Sequence, residues 1–406
     1  MESINCNWKP CFETGASTWT AMESQPDEMV VPMPAYSSES EVEEDEEPPP
    51  SGSVGEQMAA LLRSVVAGHA ADVAPRLLQV DFWRQLGARD GLHVCALSAL
   101  GELPAEEGAA AATLRDSLDL RGYCQAGACA HDDDVLARVK CGLRTLKERG
   151  FAPAFIYVYD EAWQVLEHSW RLLGHVLSPD APHDVVLEPS LNAHVLTRPP
   201  APAEAAEANT SEIQRHTSMG GAFPLPHRDH SSADCFDQLS GQPLLLSLWV
   251  PLTEVTADNG AMFVVPREAD ALLRQPNHPM HLLPFDQHSR RCHFEPSAAV
   301  ALAPLAPGTA LAWLGSSIHW GGVCSRHAQA EPRASLTAGV RVRGARATAL
   351  QEQQASELPE LSLADLPLPL EERVRYACGS VQLYSWWYGL GSGVLPSDAT
   401  GTLPVD

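Results

Sequence analysis

The 406 residues carry 45% hydrophobic side chains, enough to bury a sizeable core, and a formal net charge of -25. Residues 1–56 hold 13 acids against one lysine, so the rest of the chain is only mildly acidic. Neither part has the basic stripe a nucleic-acid partner would call for, and no apolar run approaches the roughly 20 residues of a membrane-spanning helix.

The ten cysteines form no C-x-x-C pairs. That suits reduced thiols and a cytoplasmic location better than a disulfide framework. The start, Met1 to Cys6, shows neither the basic nor the apolar region of a secretory signal.

Taken in chain order, residues 1–56 read as a disordered acidic tail, with the Glu39–Glu47 run and Pro48-Pro49-Pro50 offering little to bury. Residues 57–119 read as a helical N-terminal extension. Met58, Leu61, Leu62, Val65, Val66 and Val73 follow the spacing of one helix face. Phe82 and Trp83 are core candidates, and Gly101–Ala112 reads as a linker or surface loop.

Arg121 to Gln125 is a short strand candidate. Asp132-Asp133-Asp134 suits a helix N-terminus better than a metal site, and that helix should end at Gly150. Phe155–Tyr159 is apolar and β-prone. A helix opened by Asp160 follows, with Trp163, Leu166, Trp170 and Leu173 on one face.

From 185 on, short strands take over. Val185–Thr197 alternates and ends at Arg198-Pro199-Pro200. Residues 199–215 are low-complexity, a disordered loop or a lid. Leu244–Pro251 is an apolar strand broken only by Ser247. Asp258-Asn259-Gly260 marks a tight turn before a returning strand, Ala261–Pro266.

Residues 267–296 read as a polar excursion whose four histidines, His278, His281, His288 and His293, are solvated. Ala298–Leu302, Thr309–Leu314 and Pro332–Val340 complete the strand candidates. Many short strands with turns between them suggest a sandwich or jelly roll buttressed by helices. The 346–406 segment holds a Leu-Pro-rich loop and an aromatic helix or strand, Tyr384–Tyr388, and reads as an extension packing on the core.

The chemistry-bearing stretch is Pro226-His227-Arg228-Asp229-His230. On a strand, His227 and Asp229 face one spot and Arg228 turns away. An imidazole and a carboxylate on one spot are two of the three ligands of a 2-His-1-carboxylate iron site. His319, 92 residues later at the end of a strand candidate, can join them only through the fold. It is a better third ligand than His327, which lies in a polar turn. Arg333 and Ser335 share a strand face, and a guanidinium with a hydroxyl is a grip for a carboxylate.

This order resembles the phytanoyl-CoA dioxygenase family: His-x-Asp, then Leu248-Trp249-Val250-Pro251-Leu252-Thr253, then Asp258 to Pro266, a distal histidine and Arg-x-Ser. The resemblance covers about residues 120–345 and implies a double-stranded β-helix oxygenase domain there, mainly β with flanking helices and cupin-like. It implies that His227, Asp229 and His319 hold iron(II). Arg333 and Ser335 would grip the C5 carboxylate of 2-oxoglutarate, and Arg198 would be a second co-substrate contact. It also implies dioxygen as co-substrate, with ascorbate as a candidate reductant.

The expected activity is hydroxylation of a C–H bond in a small lipid-like or secondary metabolite, with release of succinate and carbon dioxide. Asp229 favours hydroxylation over halogenation, since related halogenases carry a small residue there. Two readings compete: a non-catalytic cupin-like binding protein, and a zinc hydrolase built on the same three ligands.

Overall fold

A computed structural model describes residues 75–95, 107–128, 133–199, 221, 226–281, 294–345 and 358–384. The acidic tail, the helical face at 58–73, the low-complexity stretch after Pro199, His288, His293 and residues 385–388 lie outside them.

Among the described residues nine strands form two antiparallel sheets: β1 (Tyr123–Ala128), β2 (Val185–Leu187), β3 (Asn192–Val195), β4 (Leu245–Pro251), β5 (Met262–Val264), β6 (Val300–Leu302), β7 (Thr309–Leu314), β8 (His319–Gly321) and β9 (Ala334–Val342). The large sheet runs β1-β7-β4-β9-β2, with β3 also pairing β9, and the small one runs β6-β5-β8. This is the jelly-roll, cupin-like architecture, with helices on one side.

Register explains how one strand serves two environments. Leu246, Leu248 and Val250 of β4 oppose Leu314, Ala312, Val340, Ala338 and Leu336 on one face. They join the main core under the helices. Ser247 and Trp249 alternate to the other face, opposite Gly339 and Thr337. There Trp249, Leu311 and Trp313 meet Met262, Val264 and Leu302 of the small sheet. This second cluster is the barrel interior, and the two faces follow from the two-residue period of a strand.

The helices are α1 (Val80–Gly87), α2 (Glu107–Arg121), α3 (Asp133–Glu148), α4 (Asp160–Leu177), a single turn α5 (Ser232–Cys235), and α6 (Leu370–Leu383). Helix α4 buries Trp163, Leu166, Trp170 and Leu173, the predicted face. Phe82 and Trp83 are core residues, and Trp83 stacks on Phe155. No described helix is long and apolar enough to cross a membrane, and the six described cysteines are free.

Three expectations change. The loop expected over Gly101–Ala112 gives way, from Glu107, to helix α2, where the alanine run supplies the strongest helix propensity. Phe155–Tyr159 is not a strand but the end of a 3-10 turn, Pro153–Val158. All five of its residues from Ala154 to Val158 are buried, so no face remains for a sheet edge. His281 is 1% exposed rather than solvated. It accepts from Ser232 N (3.0 Å) and bonds Leu272 O (2.8 Å).

Helix α6 packs against the 153–158 turn. Arg373 is fully buried there, paired with Asp160 at 2.6 Å and donating to the carbonyls of Val158 and Leu368. The Asp258-Asn259-Gly260 turn is held by Asn259, whose Nδ2 donates to the carbonyls of Glu254 and Glu331 while its Oδ1 accepts from Thr256 N. Gly260 has φ +114, and a Cβ there would collide with Leu196, so the turn needs glycine.

Candidate active site

The His227–Asp229 stretch is not a full strand. His227 makes one two-way bridge with His319, at 3.0 and 2.9 Å, and the ladder stops there. Pro226 has no N–H to extend it. The bridge sets the two histidines side by side, with ring centroids 4.4 Å apart. Asp229 Oδ1 lies 3.5 Å from His227 Nε2, and Asp229 Oδ2 lies 3.5 Å from His319 Nε2. One ligating atom from each residue falls within 4.8 Å of the others. The fold therefore closes the 92-residue gap. His327 is in a turn, its backbone N–H bonded to Ser325 Oγ (3.2 Å), and is not in this group.

The electrostatics suit a cation. Desolvation works against an ionised Asp229, but His319, His227 and His230 outweigh it and hold the carboxyl well below the usual range. Burial pushes His319 down to about 4, against the pull of Asp229, so its imidazole is neutral at pH 7, the form that ligates. His319 Nδ1 lies 3.1 Å from Ser317 O. If Nδ1 carries the proton, Nε2 is left with its lone pair toward Asp229. Ser247, the lone polar residue of the β4 run, donates to Asp229 Oδ2 at 2.9 Å. Its break in an otherwise apolar strand is the sequence signal for this contact.

Arg333 enters the same interior. It is 3% exposed, and its Nε has no hydrogen-bond partner among the described residues. Nη1 points at the sulfur of Met262 (2.9 Å), a weak acceptor, and the guanidinium lies 5.4 Å from the Trp249 ring. No carboxylate pairs with it among the described residues. Burial lowers its pKa to about 10, so it stays charged. A Cβ on Gly321 would sit 3.3 Å from Nη2 and 3.4 Å from Nη1, so glycine leaves the guanidinium clear. Ser335 Oγ is buried as well and has no hydrogen-bond partner among the described residues.

Arg198 is not part of this set. It is exposed, and its Nη2 donates to the carbonyls of Ala328 (3.0 Å) and Ala330 (3.2 Å). The carbonyls of buried Ala328 and half-buried Ala330 hold the guanidinium.

Residues 161–328 match the family model for phytanoyl-CoA dioxygenase. This segment is phytanoyl-CoA dioxygenase-like. The matched segment contains all three of the converging ligand candidates and stops short of Arg333. A search of curated proteins gives no match.

Solved structures similar to this chain include the non-heme monooxygenase ThoJ, in its apo form. It is 17% identical, covers 66% of this chain and 99% of its own, and has a TM-score of 0.39. The epimerase SnoN, in complex with Fe3+, alpha ketoglutarate and nogalamycin RO, is 17% identical, covers 62% and 91%, and scores 0.33. EvdO2 from Micromonospora carbonacea var. aurantiaca, complexed with 2-oxoglutarate, is 17% identical, covers 62% and 96%, and scores 0.32. At such scores the likenesses say nothing of this chain's chemistry.

Proposed function

We propose that this chain is an iron(II)- and 2-oxoglutarate-dependent oxygenase that hydroxylates a C–H bond of a small-molecule substrate. The observation that carries the reading is Arg333. A guanidinium buried without an anion is costly, and this one shares the barrel interior with two imidazoles and a carboxylate. A dicarboxylate co-substrate resolves the cost: its far carboxylate would take the bidentate grip of Arg333 and a bond from Ser335 Oγ.

His227, Asp229 and His319 would hold the iron. The chemistry supplied there, once bound, is activation of dioxygen at the expense of 2-oxoglutarate, which leaves as succinate and carbon dioxide. The protein's own part is placement. Ser247 orients the Asp229 carboxylate, and the contact between His319 Nδ1 and Ser317 O turns the imidazole. Trp249, Leu311 and Trp313 keep water from the interior. A zinc hydrolase on the same ligands would leave Arg333 and Ser335 without a purpose, and a non-catalytic binding protein would not need the set together.

The test is an anaerobic titration of the chain with iron(II) and 2-oxoglutarate, followed by the visible metal-to-ligand charge-transfer band, then succinate release in air. A band that Arg333→Ala loses supports the reading. A folded protein that gives no band points to another metal or to a binding role.

A further inference from the structure

Beyond the metal site, on the side away from Arg333, a second polar group converges. Strand β9 runs the depth of the barrel. Ser335 lies near its start, Gly339 opposes Ser247 at the level of Asp229, and Arg341 follows. Glu188, just after β2, turns inward onto this path. It is 1% exposed and lies over Gly339, where any Cβ would strike its carboxylate.

Glu188 Oε2 is 3.8 Å from His230 Nε2, and Oε1 is 3.7 Å from Arg341 Nε. Both separations are ion-pair distances, too long for hydrogen bonds. Among the described residues, Glu188 Oε1, His230 Nδ1, Thr337 Oγ1 and Arg341 Nε are all buried without a hydrogen-bond partner. Polar atoms in that state are each costly. Those of Glu188, His230 and Arg341 lie together, and Thr337 shares the interior face of β9 with Gly339 and Arg341, so this is a site to be completed.

Tyr384 comes to the same place from outside the matched segment. It follows α6, whose Ser380 Oγ accepts from Leu191 N at 2.9 Å, just before β3. Its hydroxyl bonds Ser190. Burial, then the charges of Asp229 and Glu188, push the phenol above its usual range, so it remains a protonated donor.

The charge balance sets the ligand's character. Arg341 serves two carboxylates, Glu188 and Glu360, and Asp229 is committed to the metal. Two carboxylates thus share one guanidinium, and this excess of negative charge favours a ligand that brings donors. We propose that Glu188, with His230, Thr337 and Tyr384, forms the subsite for the primary substrate, and that this subsite takes a small metabolite bearing amine or hydroxyl donors rather than a bare acyl chain. This assignment rests on the oxygenase reading, and of the lipid-like or secondary metabolite expected from the sequence it favours the latter.

The experiment uses the full chain loaded with iron(II) and 2-oxoglutarate. Succinate release in air is measured with 2-aminoethanol, glucosamine and glycerol as donor probes, and with octanoate and octanoyl-CoA as acyl probes. Donor probes should stimulate release, and Glu188→Gln should cut that stimulation at least tenfold. A loss confined to the two amines identifies an ammonium, and a loss shared with glycerol a hydroxyl. Tyr384→Phe removes one oxygen and no charge, and should cut the stimulation as well, so it carries the test if Glu188→Gln does not fold.

Stimulation by the acyl probes alone overturns the assignment. So does silence from every donor probe in a protein that forms the charge-transfer band, as water would then be all that fills the site. Absence of the band itself is instead the failure of the oxygenase reading.

Discussion

Arg228 and Asp270 form a buried, two-pronged ion pair at 2.5 and 2.7 Å, each side chain 1% exposed. Arg228 is the residue between two of the proposed iron ligands. Its remaining donors go to the carbonyls of His281 (2.8 Å) and Ser316 (2.6 Å). One guanidinium thus ties the His227–Asp229 stretch to the turn before His319 and to the segment after β5. Breaking such a pair from one side costs about 3–5 kcal/mol. Asp270→Ala should therefore lower the denaturation midpoint sharply. Arg228→Lys should rescue little, since an ammonium cannot reproduce the planar fork. Equal midpoints for native protein and Asp270→Ala in urea would remove this pair from the stability account.

Arg333→Ala should weaken 2-oxoglutarate binding about a hundredfold or more, from about 3–5 kcal/mol for the lost partner at about 1.4 kcal/mol per tenfold. Iron affinity should change far less, because Arg333 does not approach the ligand atoms. Gly321→Val should have the same selectivity by crowding Nη1 and Nη2. Calorimetric titration of each ligand separates the two effects. Unchanged 2-oxoglutarate affinity in both variants would take the guanidinium out of the site.

The sequence made much of this legible because period and turn chemistry act locally. The i, i+2 spacing of His227 and Asp229, the alternation of β4 and β9, and the Asn259-Gly260 turn are all readable within a few residues. His319 needed one further idea, that a jelly roll joins distant strand ends. What stayed hidden depended on partners far away. Asp270 is 42 residues from Arg228, and nothing in a polar excursion marks it as the counter-ion. His281 is buried by Ser232 and Leu272, which its own neighbourhood does not show. Arg198 is likewise held by partners far along the chain, the carbonyls of Ala328 and Ala330, which its place before Pro199-Pro200 does not show.

Ser247→Ala should leave the fold intact and weaken iron binding. The hydroxyl supplies a hydrogen bond to a charged acceptor, worth about 1.5–3 kcal/mol, and the loss of such an orienting contact to a ligand typically costs 10–100-fold in metal affinity. The residue is buried on a strand whose other face is wholly apolar, so alanine fits without a clash. Anaerobic iron(II) titration measures the loss. A variant that binds iron as tightly as the native chain would mean that Asp229 is oriented by the backbone alone.

Iron should stabilise the native protein and not its ligand variants. A ligand at a hundred times its dissociation constant adds about 2.7 kcal/mol to a folded state that alone binds it. For a domain of this size each kcal/mol raises Tm by about 2–4 °C, so a rise of about 5–10 °C is expected, reversed by a chelator. His319→Ala and Asp229→Ala should each abolish the rise, because the three ligating atoms converge as one group. Asp229→Ala should also end turnover while the chain still folds, since its carboxylate faces the barrel mouth and leaves no cavity in the main core. A full Tm rise in either variant would assign the metal to other residues. Retained turnover in Asp229→Ala would mean that a different carboxylate completes the site.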